Sequence, residues 1–529
     1  MNTCAFLEKA ARQWGDNLAY EWGQERIDYR GFYDRVLRLA GGLLSLGLKP
    51  GDRVAYALAN SPRILETAYA CFAAGLIVVP INARLHAREM AYIATNSESR
   101  VLIHGPEYAE GFREHRAEFP TVEHWIGLEP GGEGPAFEDV LNSGTPLDRP
   151  AEVEQTDPCW LFYTSGTTGR PKGATWSHRT VSTVIMNYLA DVYNIQPGEV
   201  VLHTAPMSHG SGIVALPAVA RGATNAIMDT VSFDPKALFA TVERMRVAHI
   251  AFVAPTQIIA MLDAFEPGEY DLSSLNAVCY GGAPIYVEQL RQAVEAFGPV
   301  FAQIYGQGEA PITIAGLPAS AHEALLAAGD ERIGSAGQAR TDVEVRIVGP
   351  DDELLPVGEV GEIVARGDVV MLGYWNNPDA TAETMRNGWL HTGDVGRFDE
   401  EGYLFLLDRA KDIIISGGNN IYPREVEEVI ALHPGVFNCV VLGIPHDYWG
   451  EAVHAIVMPE PGVEITEVEI IAHCAEYLAG YKKPKSVEIM AELPLSGYGK
   501  VQRRELREKY WQGHGRAIGG GTSRSAEPA

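Results

Sequence analysis

Between Gly51 and Val79 the chain spells out a βαβ unit, and no other stretch constrains the fold as tightly. Gly51-Asp-Arg-Val-Ala-Tyr-Ala-Leu reads as a strand, Pro62 to Ala74 as a helix and Leu76 to Val79 as a second apolar strand. The same alternation returns at Glu199 to Thr204, Ile213 to Ala220 and Ala223 to Met228, so the expected fold class is α/β with a large layered N-terminal body. A chain of 529 residues is too long for one hydrophobic core, which calls for at least two domains.

Glycine-punctuated short strands from Gly358 to Gly373 suggest a β-rich subdomain closing that body. Tyr403-Leu-Phe-Leu-Leu-Asp-Arg-Ala-Lys-Asp-Ile-Ile-Ile reads as two short strands separated by charges, and marks a boundary. Beyond it Pro423 opens a helix with Val426, Val429 and Ile430 at helical spacing. Strands are expected at Phe437 to Leu442 and Val453 to Met458, and a helix capped by Thr466 running to about Leu478. The division is 1–408 for the N-terminal body, 409–411 for a hinge and 412–511 for a small mobile α+β C-terminal domain. Residues 512–529 are Gly/Ser/Arg-rich and read as a disordered tail.

The net charge of −27 argues against nucleic acid as a partner, because phosphate backbones are bound through clustered Lys and Arg. The six cysteines show no Cys-x-x-Cys pair or zinc spacing and read as reduced core residues of a cytoplasmic protein. Glu8 and Lys9 interrupt what a signal peptide would keep apolar, so the chain is expected to be mature as written. The longest apolar run, Ala70 to Ile81, is too short for a transmembrane span. A homodimer is compatible with such a chain.

The strongest chemical signal follows the apolar Trp160-Leu-Phe: Tyr163-Thr-Ser-Gly-Thr-Thr-Gly-Arg-Pro-Lys-Gly. Hydroxyls and glycines after a strand offer O–H and unhindered N–H donors to phosphate oxygens, and Lys172 adds a cation. The ending Pro171-Lys172-Gly173 is not that of the common nucleotide P-loop, which disfavours a kinase or P-loop ATPase.

This segment resembles the signature of the adenylate-forming superfamily, which holds acyl- and aryl-CoA synthetases, peptide-synthetase adenylation domains and luciferases. Four further stretches match in family order. Tyr305-Gly-Gln-Gly-Glu309 is similar to the family's Tyr-Gly-x-Thr-Glu, Trp389-Leu-His-Thr-Gly-Asp394 to its ribose motif and Asp408-Arg-Ala-Lys-Asp to its hinge. Pro494-Leu-Ser-Gly-Tyr-Gly-Lys500 resembles its catalytic-lysine motif.

The resemblance implies roles residue by residue. Thr164, Ser165, Gly166, Thr167, Thr168, Gly169 and Lys172 would hold ATP phosphates, with Glu309 and Thr164 at Mg²⁺. Gly281, Gly282, Ala283 and Pro284, with Gln303, Ile304, Tyr305, Gly306 and Gln307, would pack around the adenine, and Asp394 and Arg409 would meet the ribose and phosphate. Lys500 would stabilise charge as the carboxylate attacks the α-phosphate. Lys411 is the hinge about which the small domain rotates, bringing Gly417 and Gly418 to the thiol channel, and His209 would gate that channel. Lys482, in the basic patch Tyr481-Lys-Lys-Pro-Lys485, would meet CoA phosphates. One position departs from the family pattern: Gly308 stands where a threonine is expected, so a water or one of Thr164, Thr167 and Thr168 must supply the missing hydroxyl.

The implied activity is ATP-dependent ligation of a carboxylic acid to coenzyme A through an acyl-adenylate. Pro206-Met-Ser-His-Gly-Ser-Gly-Ile lacks the acid with which amino-acid-activating relatives bind the substrate ammonium, and no carrier domain follows. An acyl-AMP ligase that loads a carrier protein and a luciferase-like oxygenase are the alternatives. The small residues Gly210, Gly212, Ala254, Gly281 and Gly282, with His209 and Tyr305, suit an apolar tail, a medium-chain fatty acid or an aromatic one.

Overall fold

The computed structural model describes residues 1–130, 134–164, 170–228, 233–283, 285–409, 412–417, 419–446, 448–494 and 501–511. The βαβ unit sits at its centre. Arg53–Ala57 and Ile77–Ile81 pair in parallel, joined by the helix Pro62–Ala74, in which every residue from Ile64 to Ala74 is buried. That helix ends at Gly75, whose φ of +69° lets the Gly75 and Leu76 amides turn back to the carbonyls of Phe72 and Cys71. The long apolar run is therefore a buried helix turning into a central strand. Among the described residues no helix is long and apolar enough to cross a membrane.

Around this unit grows a seven-stranded sheet, in the order Gly373–Tyr374, Lys172–Ser177, Pro158–Thr164, Ile77–Ile81, Arg53–Ala57, Ser99–His104 and His124–Gly127. A second sheet, of nine strands, carries Phe301–Gln307 between Ala310–Leu317 and Ala277–Gly281, followed by His249–Val253 and Val200–His203. One continuous core joins the two, with Pro62–Ala74, Tyr29–Ser45 and Gly210–Ala220 contributing buried residues to it. These are the layers that the strand–helix alternation predicts.

The glycine-rich stretch builds a five-stranded antiparallel sheet from Glu344–Val348, Gly361–Arg366, Trp389–Phe398, Met385–Arg386 and Leu404–Arg409. The chain leaves that sheet at Arg409 and enters another at Ile414–Ser416, which is where charged residues separate the two apolar runs in the sequence. This last sheet pairs Val436–His446 with Gly450–Pro459 and is covered by the helices Pro423–Ala431 and Glu467–Tyr477. Thr466 caps the second helix as expected, in a reciprocal box with Glu469. The six cysteines are free thiols, and all are buried.

The small domain rests on the large body just beyond the Gly281–Gly282 turn. Tyr286 packs among its buried residues, with the hydroxyl 3.1 Å from Cys439 Sγ. The expected tail, 512–529, and the hinge residue Lys411 lie outside the described residues.

Candidate active site

The phosphate segment is the mouth of a hairpin. Pro158–Thr164 and Lys172–Ser177 pair antiparallel, with Thr164 opposite Lys172 and Tyr163 opposite Gly173. Residues Ser165, Gly166, Thr167, Thr168 and Gly169 fall outside the described residues, but the hairpin fixes both ends of the segment that contains them. Behind it lies a slab of stacked aromatics. Trp160 stacks on Trp176 at 5.5 Å, and Trp176 on Phe162 at 4.9 Å. Phe162 and His209 pack at a steep angle, their ring centroids 5.0 Å apart.

The strand Phe301–Gln307 carries Tyr-Gly-Gln-Gly-Glu to the same place. Trp176 Nε1 donates to the Gly308 carbonyl at 2.7 Å, tying that strand end to the aromatic slab. The Glu309 side chain is only 6% exposed. Tyr374 Oη donates to its Oε1 at 2.6 Å, and Thr164 Oγ1 lies 3.5 Å from the same oxygen. Among the described residues no cation lies within ion-pair distance of Glu309, and Arg409 acts on this buried carboxylate only at longer range. Such a group fits Mg²⁺, a hard cation that prefers oxygen ligands.

The departure at Gly308 has a steric cause. A Cβ there would come 2.2 Å from Thr164 Cγ2 and 2.9 Å from the Phe162 ring, so no side chain fits without displacing one of them. The space is already filled by Thr164, the one candidate substitute hydroxyl that the described residues place near Glu309. Thr167 and Thr168 are not described.

The ribose motif arrives from the β-rich sheet. Tyr305 Oη donates to Asp394 Oδ2 at 2.7 Å, and Arg409 Nε sits 3.2 Å from Oδ1. Burial, and then Asp394 itself, push the Tyr305 phenol well above its ordinary pKa, so it remains a donor. Gly281 lies opposite Ile304, where a Cβ would strike the Ile304 carbonyl at 2.5 Å, and Gly282 adopts a φ of +78°. Gly306 is equally confined, its Cβ position lying 2.5 Å from the Ile312 nitrogen. The structure thus brings Gly281, Gly282 and Ala283 beside Gln303 to Gln307, with Gln307 reaching the Thr392 carbonyl at 3.4 Å. Pro284 is not described.

His209 caps the helix Gly210–Ala220, and its Nδ1 is 3.1 Å from Ser208 Oγ. Two expected residues belong to the small domain and meet partners there. Gly417 donates to the Trp449 carbonyl at 2.8 Å, and Lys482 is ion-paired to Glu425. The Lys482 charge is thereby offset within its own domain, which the sequence reading did not foresee. Gly418 and Lys500 lie outside the described residues.

Sequence reasoning missed Tyr374, Phe162 and a charged cluster behind the hinge. In that cluster Arg503 is bidentate to Glu427 at 2.7 Å and Arg507 reaches Asp412 at 2.7 Å. Asp408 Oδ2 is buried without a partner among the described residues. Burial raises the Asp408 carboxyl to about 6; Arg503 opposes the rise, and Glu427 and Asp412 add to it.

Residues 7–375 match the family of AMP-binding enzymes, and residues 425–500 match the AMP-binding enzyme C-terminal domain. A feruloyl-CoA synthase of Amycolatopsis sp is 40% identical over 95% of this chain and 98% of its own. A medium/long-chain-fatty-acid–CoA ligase of Mycobacterium tuberculosis is 31% identical over 94% of this chain and 88% of its own. Among solved structures, the amide bond synthetase McbA of Marinactinospora thermotolerans superposes with a TM-score of 0.87 at 29% identity, covering 96% of this chain and 99% of that one. These matches, on this fold, define an adenylate-forming enzyme. The chain belongs to the AMP-binding enzyme family, within its branch of AMP-forming acid–CoA ligases.

Proposed function

We propose that the acid this ligase activates is aromatic, and that its carboxylate is adenylated by ATP and then transferred to CoA. The observation that carries the substrate choice is a group of aromatic rings: Phe162 stacks on Trp176 and packs at a steep angle to the His209 ring, and the Phe252 ring comes 3.4 Å from where a Cβ on Gly210 would sit. Flat rings pack against such surfaces in offset or edge-on contacts that a flexible alkyl chain does not make. Similarity to a feruloyl-CoA synthase supports the same reading.

In the first half-reaction a carboxylate oxygen attacks the α-phosphorus of ATP, and the bond to the bridging oxygen breaks to release pyrophosphate. Lys172 and the segment 165–169 hold the phosphates, Asp394 orients the ribose, and Lys500 offsets the charge that builds between two anions. Mg²⁺, held by Glu309 and Thr164, would supply charge neutralisation at the polyphosphate. In the second half the CoA sulfur, having lost its proton, attacks the acyl carbon, and the bond to the AMP oxygen breaks. The body 1–408, the hinge 409–411 and the small domain 412–511 form the division on which this exchange depends. Rotation about Lys411 would replace Lys500 with Gly417 and Gly418, and His209 would open the thiol channel.

Acetate, hexanoate, palmitate, benzoate and cinnamate, assayed for AMP formation with CoA, test the substrate. We expect benzoate or cinnamate to give the highest kcat/KM. A higher value for hexanoate or palmitate would replace the aromatic acid by a fatty one. AMP release with a carrier protein but not with CoA would redirect the acceptor.

A further inference from the structure

We propose that Tyr374 is a positioning residue, which turns the Glu309 carboxylate toward the metal that accompanies ATP. This rests on the reading of Glu309 as a magnesium ligand and goes beyond it, because Tyr374 lies in none of the motifs that carry the nucleotide chemistry.

The segment bearing Tyr374 is pinned to both sides of the site. Gly373–Tyr374 forms the edge of the seven-stranded sheet, pairing with Thr175 and Ala174 of the phosphate hairpin. Trp375 N donates to the Gly173 carbonyl and Met371 N to the Glu309 carbonyl, each at 2.8 Å. Tyr374 N is in turn held by Thr381 Oγ1 at 2.9 Å. The short strand therefore couples the hairpin that holds phosphate to the residue that holds metal, through main-chain bonds on either side.

The side chain completes the coupling. Its hydroxyl donates to Glu309 Oε1 at 2.6 Å, and the Lys172 ammonium lies 5.0 Å from the ring centroid. Both described hydrogen bonds to the Glu309 side chain fall on Oε1, so the carboxylate is held by one oxygen while the other is left for a cation. Outer partners that orient a metal ligand typically contribute about 10–100-fold in metal affinity.

Tyr374→Phe isolates the hydroxyl, because it keeps the ring under Lys172. Calorimetric titration with ATP in EDTA and with Mg·ATP separates the two functions. We expect Mg·ATP affinity to fall roughly 10-fold, with metal-free ATP binding and the melting temperature unchanged. The Mg²⁺ concentration that half-saturates pyrophosphate release should rise in parallel. Unchanged Mg·ATP affinity, or an equal loss with metal-free ATP, overturns the proposal. Glu309→Gln distinguishes the two levels of the argument: if it too leaves Mg·ATP affinity unchanged, the metal role of Glu309 itself is wrong. If Glu309→Gln weakens Mg·ATP and Tyr374→Phe does not, only the positioning role falls.

Discussion

Gly308 is the residue at which sequence and site disagree most openly with the family pattern. The methyl group of Thr164 lies 2.2 Å from where a Gly308 Cβ would be. Restoring the family residue with Gly308→Thr should therefore overpack the site, costing about 1–3 kcal/mol of stability and moving Thr164 away from Glu309. Lower melting temperature together with slower adenylation is the expected result; a faster enzyme of unchanged stability would show that Thr164 yields without loss. For Lys500→Ala, adenylation should fall roughly 10²–10³-fold, as when one preorganised stabilising group is lost. Thioester formation from supplied acyl-adenylate should survive, and rapid-quench measurement of each half-reaction separates the two. Equal loss in both halves would remove the half-specific role of this lysine.

At the scale of elements, the site depends on short segments held by close backbone approach. The helix Gly210–Ala220 begins immediately after His209, and a Cβ on Gly212 would meet the Met207 carbonyl at 1.8 Å. Main chain cannot move aside as a flexible side chain can. Gly212→Ala should displace the helix start, shift His209 from Phe162 and lower the melting temperature, by about 1 °C for each kcal/mol lost in a body of this size. Circular dichroism melting with parallel adenylation and thioesterification assays checks this, and a variant of unaltered stability and rate would contradict it. Gly308→Thr and Gly212→Ala differ in kind, because the first strikes side-chain atoms and the second a carbonyl.

For the molecule as a whole, the junction between its parts carries a pH-sensitive group. Asp408 ends the last stretch of the large body, and burial, relieved in part by Arg503, lifts its carboxyl to about 6. The folded state therefore binds this proton more tightly than the unfolded chain does. Stability that Asp408 supplies is fully present below the ordinary carboxylate range, declines as pH rises toward about 6 and is gone above it. Asp408→Asn, which mimics the protonated form, should raise the melting temperature at pH 7 and flatten its dependence between pH 4 and 6. Differential scanning fluorimetry across that range tests it; an unchanged slope would place the titration elsewhere.

The amino-acid sequence by itself determined the elements and the chemistry. Strand-forming runs and helical spacing lie close together along the chain, so the βαβ unit, the Thr466 cap and the two strands around the boundary are local consequences of side-chain pattern. The stretches that match the family's motifs were recognisable for a related reason, since each lies within a few consecutive residues. Only the tertiary structure decided which of these meet what. Tyr374 is 65 residues from Glu309 and Tyr305 is 89 from Asp394, separations across which no periodicity carries information. That Lys482 pairs with Glu425, 57 residues away, was likewise decided by the fold. Gly308 looked like a lost hydroxyl until packing put Thr164 and Phe162 in its place, because space is shared by residues that the chain keeps far apart.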